Sequence, residues 1–108
     1  MSINFDSVQS TTSATVTTSP NNELVQVQFA RILDQDVLTD MQQLKTQPSV
    51  RFFSMYSNQQ VFDIVVGSNY QLEVVAEAIA QMIEGHGLSV GRQMGLNDKK
   101  PTNSFTKQ

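Results

Sequence analysis

The segment 61–84 constrains the fold most strongly, because its apolar pattern changes period once along its length. Residues 61–66, VFDIVV, are apolar almost throughout, which is typical of a central strand covered on both faces or covered by a partner. The next apolar residues recur at helical spacing: Leu72, Val75, Ala76, Ile79, Met82 and Ile83. The segment therefore predicts a buried strand followed by an amphipathic helix.

Residues on either side of this helix carry expected start and stop signals. Ser68 and Gln71 have the spacing of a capping box, in which each side chain bonds a free backbone amide. Gly85 follows the last apolar residue, and we expect it to end the helix in the left-handed conformation.

A hairpin is predicted just before the helix. Residues 50–55 alternate in the manner of a strand, and Ser57, Asn58 and Gln59 are turn-forming residues. The strand 61–66 then returns along the first one.

The stretch 23–47 is expected to contain a strand and then a helix. Val25, Val27 and Phe29 alternate with glutamines, which favours a strand up to about residue 30. A helix starting before Phe29 remains an alternative, because apolar residues from Ala30 onward also recur at helical spacing. Asp34 or Asp36 is expected to cap the helix, and Pro48 to end it.

The predicted order is β-α-β-β-α, with a last edge strand over 88–94 left open because Gly91 lies within it and Gly87 and Gly95 flank it. This order predicts an α+β, ferredoxin-like sandwich: an antiparallel sheet with both helices on one face. We expect a single domain over residues 23–96. The Ser/Thr-rich segment 1–22 and the segment 97–108 have few large apolar side chains, so disordered tails are expected there.

Composition excludes several classes of function. Only 16% of the residues are charged, against about 25% in typical domains, and the net charge is −3. An acidic chain with seven Lys and Arg is a poor nucleic-acid binder. There is no cysteine, no apolar run of membrane-spanning length and no signal-peptide pattern, so neither nucleic acid nor membrane is expected as a partner. A cytoplasmic location is expected, and an unstructured N-terminal export signal is the alternative.

Candidate catalytic and metal-binding residues have simpler structural explanations. His86 is the single histidine, and no local spacing supplies it with a nucleophile and an orienting carboxylate. Asp34, Asp36 and Asp40 lack the pattern of a calcium loop, and they fit the first turns of a helix instead. The late glycines follow a helix rather than precede one, which is wrong for a phosphate loop. We expect a non-enzymatic protein with no catalytic residue, no metal and no cofactor.

Consecutive aromatic residues point to an interface. Phe52 and Phe53 must lie on opposite faces of their strand, so one of them leaves the helix-covered core. If the helices cover Phe52, Phe62, Ile64 and Val66, an apolar patch remains on the other face, and such patches usually mark interfaces. The residues predicted for this interface are Arg51, Phe53, Met55, Val61, Asp63 and Val65.

The sequence thus favours a small protein-interaction module that forms a homodimer or joins a larger assembly through its sheet face. The alternative is a regulatory domain that senses a small ligand in pockets at a dimer interface. For that alternative, the turn formed by Gly67, Ser68 and Asn69 is the predicted anion or ligand site.

Overall fold

Five strands and two α-helices make up most of residues 12–94, which are the part of the chain that the computed structural model describes. Single-turn 3₁₀ helices lie at Pro20–Asn22 and Leu44–Thr46. The strands and α-helices, in chain order, are β1 (Ala14–Ser19), β2 (Leu24–Phe29), α1 (Gln35–Gln43), β3 (Val50–Met55), β4 (Val61–Val66), α2 (Leu72–Glu84) and β5 (Val90–Met94).

The five strands form one sheet in the order β3-β4-β2-β1-β5. Neighbouring strands are antiparallel, except that β1 and β5 are parallel. Side chains opposite each other on neighbouring strands share a face, so Val16, Val27 and Phe62 form one row across the middle of the sheet.

Both helices pack on the face that carries this row. Val37 and Met41 of α1 and four residues of α2 join the buried strand residues in a single apolar core. The fully buried set is Ala14, Val16, Val25, Val27, Phe29, Val37, Met41, Phe62, Ile64, Val66, Ala76, Ile79, Ala80 and Ile83. The predicted mixed α+β architecture, with the helical period over residues 72–83 facing the sheet, is confirmed.

Strand β1 corrects the prediction that all of residues 1–22 are a disordered tail. Ala14, Val16 and Thr18 face the helices, and each is at most 1% exposed. Threonine and valine are β-branched and fit the pleated surface of a strand well, even though a Ser/Thr-rich composition is typical of linkers. The folded part of the chain therefore begins before residue 23.

The sheet order also corrects the ferredoxin-like prediction. The hairpin β3-β4 and the placement of β4 between β2 and β3 agree with a split βαβ unit. In a four-stranded ferredoxin-like sheet, however, the last strand would lie beside β2. Here β1 occupies that position and β5 lies beyond it. The sheet is thus mixed and five-stranded, with the additional strand β1 between β2 and β5.

The stretch 23–47 folds as the main prediction proposed. Residues 24–29 form strand β2, so the alternative of a helix starting before Phe29 is wrong. Asp34 occupies the N-cap position of α1, although its side chain makes no capping hydrogen bond. The α-helix ends at Gln43, and a 3₁₀ turn continues it to Thr46, just before Pro48.

The predicted ends of α2 are wrong in detail. Gln71 rather than Ser68 is the N-cap residue, and no side chain caps the helix. Gly85 continues the right-handed conformation with φ −63°, and the left-handed residue is Gly87 with φ 88°. The chain therefore turns two residues later than expected, because Gly85 still donates a helical hydrogen bond to Gln81.

Strand β5, left open by the sequence, is present as Val90–Met94. It is an edge strand without a fully buried residue, which fits its glycine content. The predictions of disorder for residues 1–11 and 97–108 lie outside the described residues.

Candidate functional site

Neither α-helix packs on the second face of the sheet, whose side chains lie in rows fixed by the strand register. This face is most exposed at β3, where Phe52 is 60% exposed, whereas Thr17 and Ser19 of β1 are only 9% and 2% exposed. The central row is polar and runs through Thr17, Gln26, Asp63 and Ser54. The row next to it, at the end nearer the β1-β2 turn, runs through Ser19, Leu24, Val65 and Phe52. We call this second sheet face the open face.

Asp63 organises the polar centre of the open face. Gln26 Nε2 donates a hydrogen bond to Asp63 Oδ1 at 2.9 Å, and the Tyr56 hydroxyl donates to Asp63 Oδ2 at 3.0 Å. The hydrogen bond to the carboxylate and its negative charge raise the pKa of Tyr56. Both carboxylate oxygens therefore have neutral donors on the same face.

The apolar part of the open face is centred on Phe52. Its side chain is 60% exposed, and it lies opposite the half-buried Val65, which in turn lies opposite Leu24. A β-bulge at Arg51 shifts the register between Val50 and Phe52. Three apolar side chains thus form a short row at one end of a face whose centre is polar.

The predicted interface residues divide between the two faces. Val61, Asp63 and Val65 lie on the open face as expected. Phe53 and Met55 lie on the helix side, where they pack against the core, so their predicted placement is wrong.

The cause of this error is the register of the β3-β4 hairpin. Phe53 lies opposite Ile64, and side chains opposite each other share a face, so Phe53 joins the core. Phe52, assumed to be covered by the helices, is the aromatic residue that faces solvent. Arg51 is exposed at the bulge.

The turn predicted as an anion site connects β4 to α2. The Gly67 amide already donates to the Ser49 carbonyl at 2.9 Å, and the side chains of Ser68 and Asn69 are exposed. The residues that line the adjoining hollow, of about 220 Å³, include Gly67 and the two acidic residues Glu23 and Glu73. Negative charge at this hollow disfavours an anion, so a ligand at this turn remains only a prediction.

His86 has a carboxylate partner that local spacing did not reveal. His86 Nε2 lies 2.8 Å from Asp40 Oδ2, and this contact joins the end of α2 to the middle of α1. The two residues are 46 positions apart, so no sequence motif could show the pair. The contact ties the two helices together.

Acidic residues do not form a metal centre in residues 12–94. In that range no group of three or more His, Asp or Glu side chains is placed to hold a metal ion.

An apolar groove lies on the helix side, where the sequence did not suggest a site. A groove of about 420 Å³ separates α2 from the chain that connects α1 to β3. Val75, Ile79 and Met82 of α2 form one wall, and Leu44 and Pro48 belong to the opposite wall. Its only sequence signal is a helical stripe wider than the sheet can cover, since Val74 is 60% exposed.

Arg92 is the most strongly bonded charged residue of the described range. Its guanidinium makes two hydrogen bonds to the Glu77 carboxylate, at 2.8 and 2.9 Å, and two to the Glu84 carboxylate, at 2.9 and 3.1 Å. These bonds lower the pKa of both glutamates and raise that of Arg92. The cluster joins β5 to α2 and therefore has a structural role.

Comparisons of this chain with protein-family models, with curated proteins and with solved structures found no match. Among residues 12–94, neither helix has the length and the apolar character needed to cross a membrane.

Proposed function

We propose that this protein is a non-enzymatic interaction module that pairs with a second copy of itself through the open face. The observation that supports the proposal is the exposure of Phe52, a large aromatic side chain that is 60% exposed and lies beside Val65 on the open face. Burying a Phe side chain contributes roughly 1.5–3 kcal/mol, so two copies of this row offer a useful driving force.

The charge distribution favours self-pairing at this face over the outer face of α2. A two-fold contact brings the same patch of both copies together, so a charged patch repels itself. The row of Leu24, Val65 and Phe52 is neutral, and the polar row beside it contains one carboxylate, Asp63, which is hydrogen-bonded by Gln26 and Tyr56 but keeps its charge. The outer face of α2 carries glutamates, which would repel each other across a two-fold axis.

The proposal also accounts for Arg51. This residue is exposed at the bulge beside Phe52, at the rim of the apolar row. At the rim of an interface, an arginine can pair with a carboxylate of the partner without being fully desolvated, as interface rims commonly show. A complex with a different protein would use the same apolar row, with Arg51 at its rim.

The test compares substitutions at two equally exposed residues, one on the open face and one on α2. Phe52→Lys places a charge in the proposed interface, while Val74→Lys places one on α2, and both native side chains are 60% exposed. Light scattering over a dilution series measures the mass of the full chain and of each variant. We expect a dimer for the native chain and for Val74→Lys, and a monomer for Phe52→Lys.

Two outcomes would contradict self-pairing through this face. A native chain that stays monomeric at every concentration has no second copy to bind, which would leave a different protein as the partner. A dimer that survives Phe52→Lys but is lost in Val74→Lys would place the contact on α2. Circular dichroism of each variant shows whether the fold is kept.

A further inference from the structure

The apolar groove lies beside a negatively charged flank of α2. At 100° per residue, Glu73, Glu77 and Glu84 lie along the flank of α2 that faces β5. Val75 and Met82 line the groove, and so do Val74 and Ala78, which are exposed to solvent. A chain crossing α2 from β5 would therefore meet carboxylates first and an apolar groove second.

The acidic flank keeps a net negative charge despite its ion pairs. Arg92 neutralises one charge, because its guanidinium binds Glu77 and Glu84 together. Glu73 makes no ion pair within the described residues. Residues 12–94 as a whole carry eight carboxylates and four Lys or Arg, a net charge of −4.

We propose that residues 97–108 of this same chain bind across α2, with Lys99 and Lys100 against the acidic flank and Phe105 in the groove. The order of side chains along this segment matches the order of surfaces: two lysines come first and the single aromatic residue follows. Its charge is also complementary, since Asp98, Lys99, Lys100 and Lys107 give a net charge of +2.

The position of Met94 makes this path short enough. Met94 ends β5 opposite Thr18 of β1, at the same end of the sheet as Val66 and the start of α2. Four strand spacings of about 4.8 Å, roughly 19 Å, separate β5 from β3 beside the groove. The eleven residues from Met94 to Phe105 can span about 36 Å when extended, which leaves enough length to pass over the helix.

A cross-linking experiment on the full chain tests this placement, because the native chain has no cysteine. Ser104→Cys is combined with Ala78→Cys on the groove side of α2, or with Gln28→Cys on the open face as a matched exposed control. We expect the groove pair to form an intrachain disulfide about tenfold faster than the control pair, because docking raises the effective concentration of the two thiols.

The same cross-linking experiment tests the role of Phe105. Adding Phe105→Ala to the groove pair is expected to slow the cross-link to the rate of the control pair. Equal rates for the groove and control pairs would overturn the proposal. So would a disulfide that forms only between two chains, which non-reducing electrophoresis separates from the intrachain product.

A second measurement needs no cysteine and no change in the described residues. Methyl resonances of methionine are compared between the native chain and Phe105→Ala. Met82 lines the groove and Met41 is fully buried in the core. We expect the Met82 methyl resonance to move, because an aromatic ring leaves its surroundings, and the Met41 resonance to stay. An unchanged Met82 resonance would overturn the proposal.

Discussion

Thr18 is the residue whose surroundings suit its side chain least well. It is fully buried on the helix side of β1, opposite Val25 on one neighbouring strand and Met94 on the other. Its hydroxyl has no hydrogen-bond partner within residues 12–94. An unsatisfied buried hydroxyl costs about 1–3 kcal/mol, so this position lowers the stability of the fold.

Thr18→Val is therefore expected to stabilise the protein. Valine has nearly the same shape and replaces the unpartnered hydroxyl by a methyl group, so the free energy of unfolding should rise by about 1 kcal/mol. Urea unfolding of the full chain measures it. Thr15→Val is the control, because Thr15 lies on the same strand but on the open face, half-buried, and little change is expected there. A loss of stability in Thr18→Val would show that the hydroxyl is bonded.

Phe52 and Phe53 show how far the site could be predicted from single residues. Alternation along a strand requires that they face opposite sides, and the structure agrees. Which of them faces the helices depends on the register of the β3-β4 hairpin. That register is set by the turn over residues 56–60 and by the bulge at Arg51. Neither feature has a sequence signature as specific as an Asn-Gly turn, so the sequence left the choice open.

Strand β1 could not be predicted from its own sequence either. A Ser/Thr-rich composition alone favours a linker, while the β-branched side chains of its three threonines and its valine suit a strand. A threonine contributes a methyl group to a core when its neighbours are apolar, and those neighbours come from β2 and β5. The strand is therefore specified by tertiary pairing, whereas α2 carries its own signal in its periodicity.

The Arg92 cluster is the main polar link between β5 and α2. Strand β5 has no fully buried residue, so hydrogen bonds to β1 and this cluster hold it at the edge of the sheet. The Arg92 hydrogen bonds lower the pKa of Glu77 and Glu84 below the usual 4.5. A carboxyl group whose pKa is lower in the folded state stabilises the fold above its unfolded pKa, and this stabilisation disappears as the pH falls through the folded pKa.

Arg92→Met is expected to destabilise the protein in a pH-dependent way. At pH 7 the loss should be about 0.5–1 kcal/mol, since the pairs are partly solvated and screened. At pH 3 the difference between native and variant chains should shrink, because the glutamates bind protons. Urea unfolding at both pH values measures it, with Lys45→Met, at an exposed cation outside the sheet, as the control. A difference that is the same at both pH values would assign the effect to packing of the arginine stem.

At the scale of the whole molecule, β1 is the strand that holds the sheet together. It lies between β2 and β5, antiparallel to the first and parallel to the second. Without it, β2 would still pair with β4 and β4 with β3, but β5 would have no strand to pair with. The buried side chains of α2, from Ala76 to Ile83, would also lose part of the surface on which they pack.

A chain that begins at residue 23 is therefore expected to lose its cooperative unfolding transition, whereas one that begins at residue 12 should keep it. Removing Ala14, Val16 and Thr18 strips three fully buried side chains from the core. Burial of a single valine contributes roughly 1.5 kcal/mol, and a domain of this size has only about 5–15 kcal/mol in total. Thermal unfolding followed by near-ultraviolet circular dichroism compares the two chains. An unchanged midpoint for the shorter chain would mean that β2 and β5 pair directly, as in the four-stranded ferredoxin-like order, and that β1 is an insertion the fold does not need.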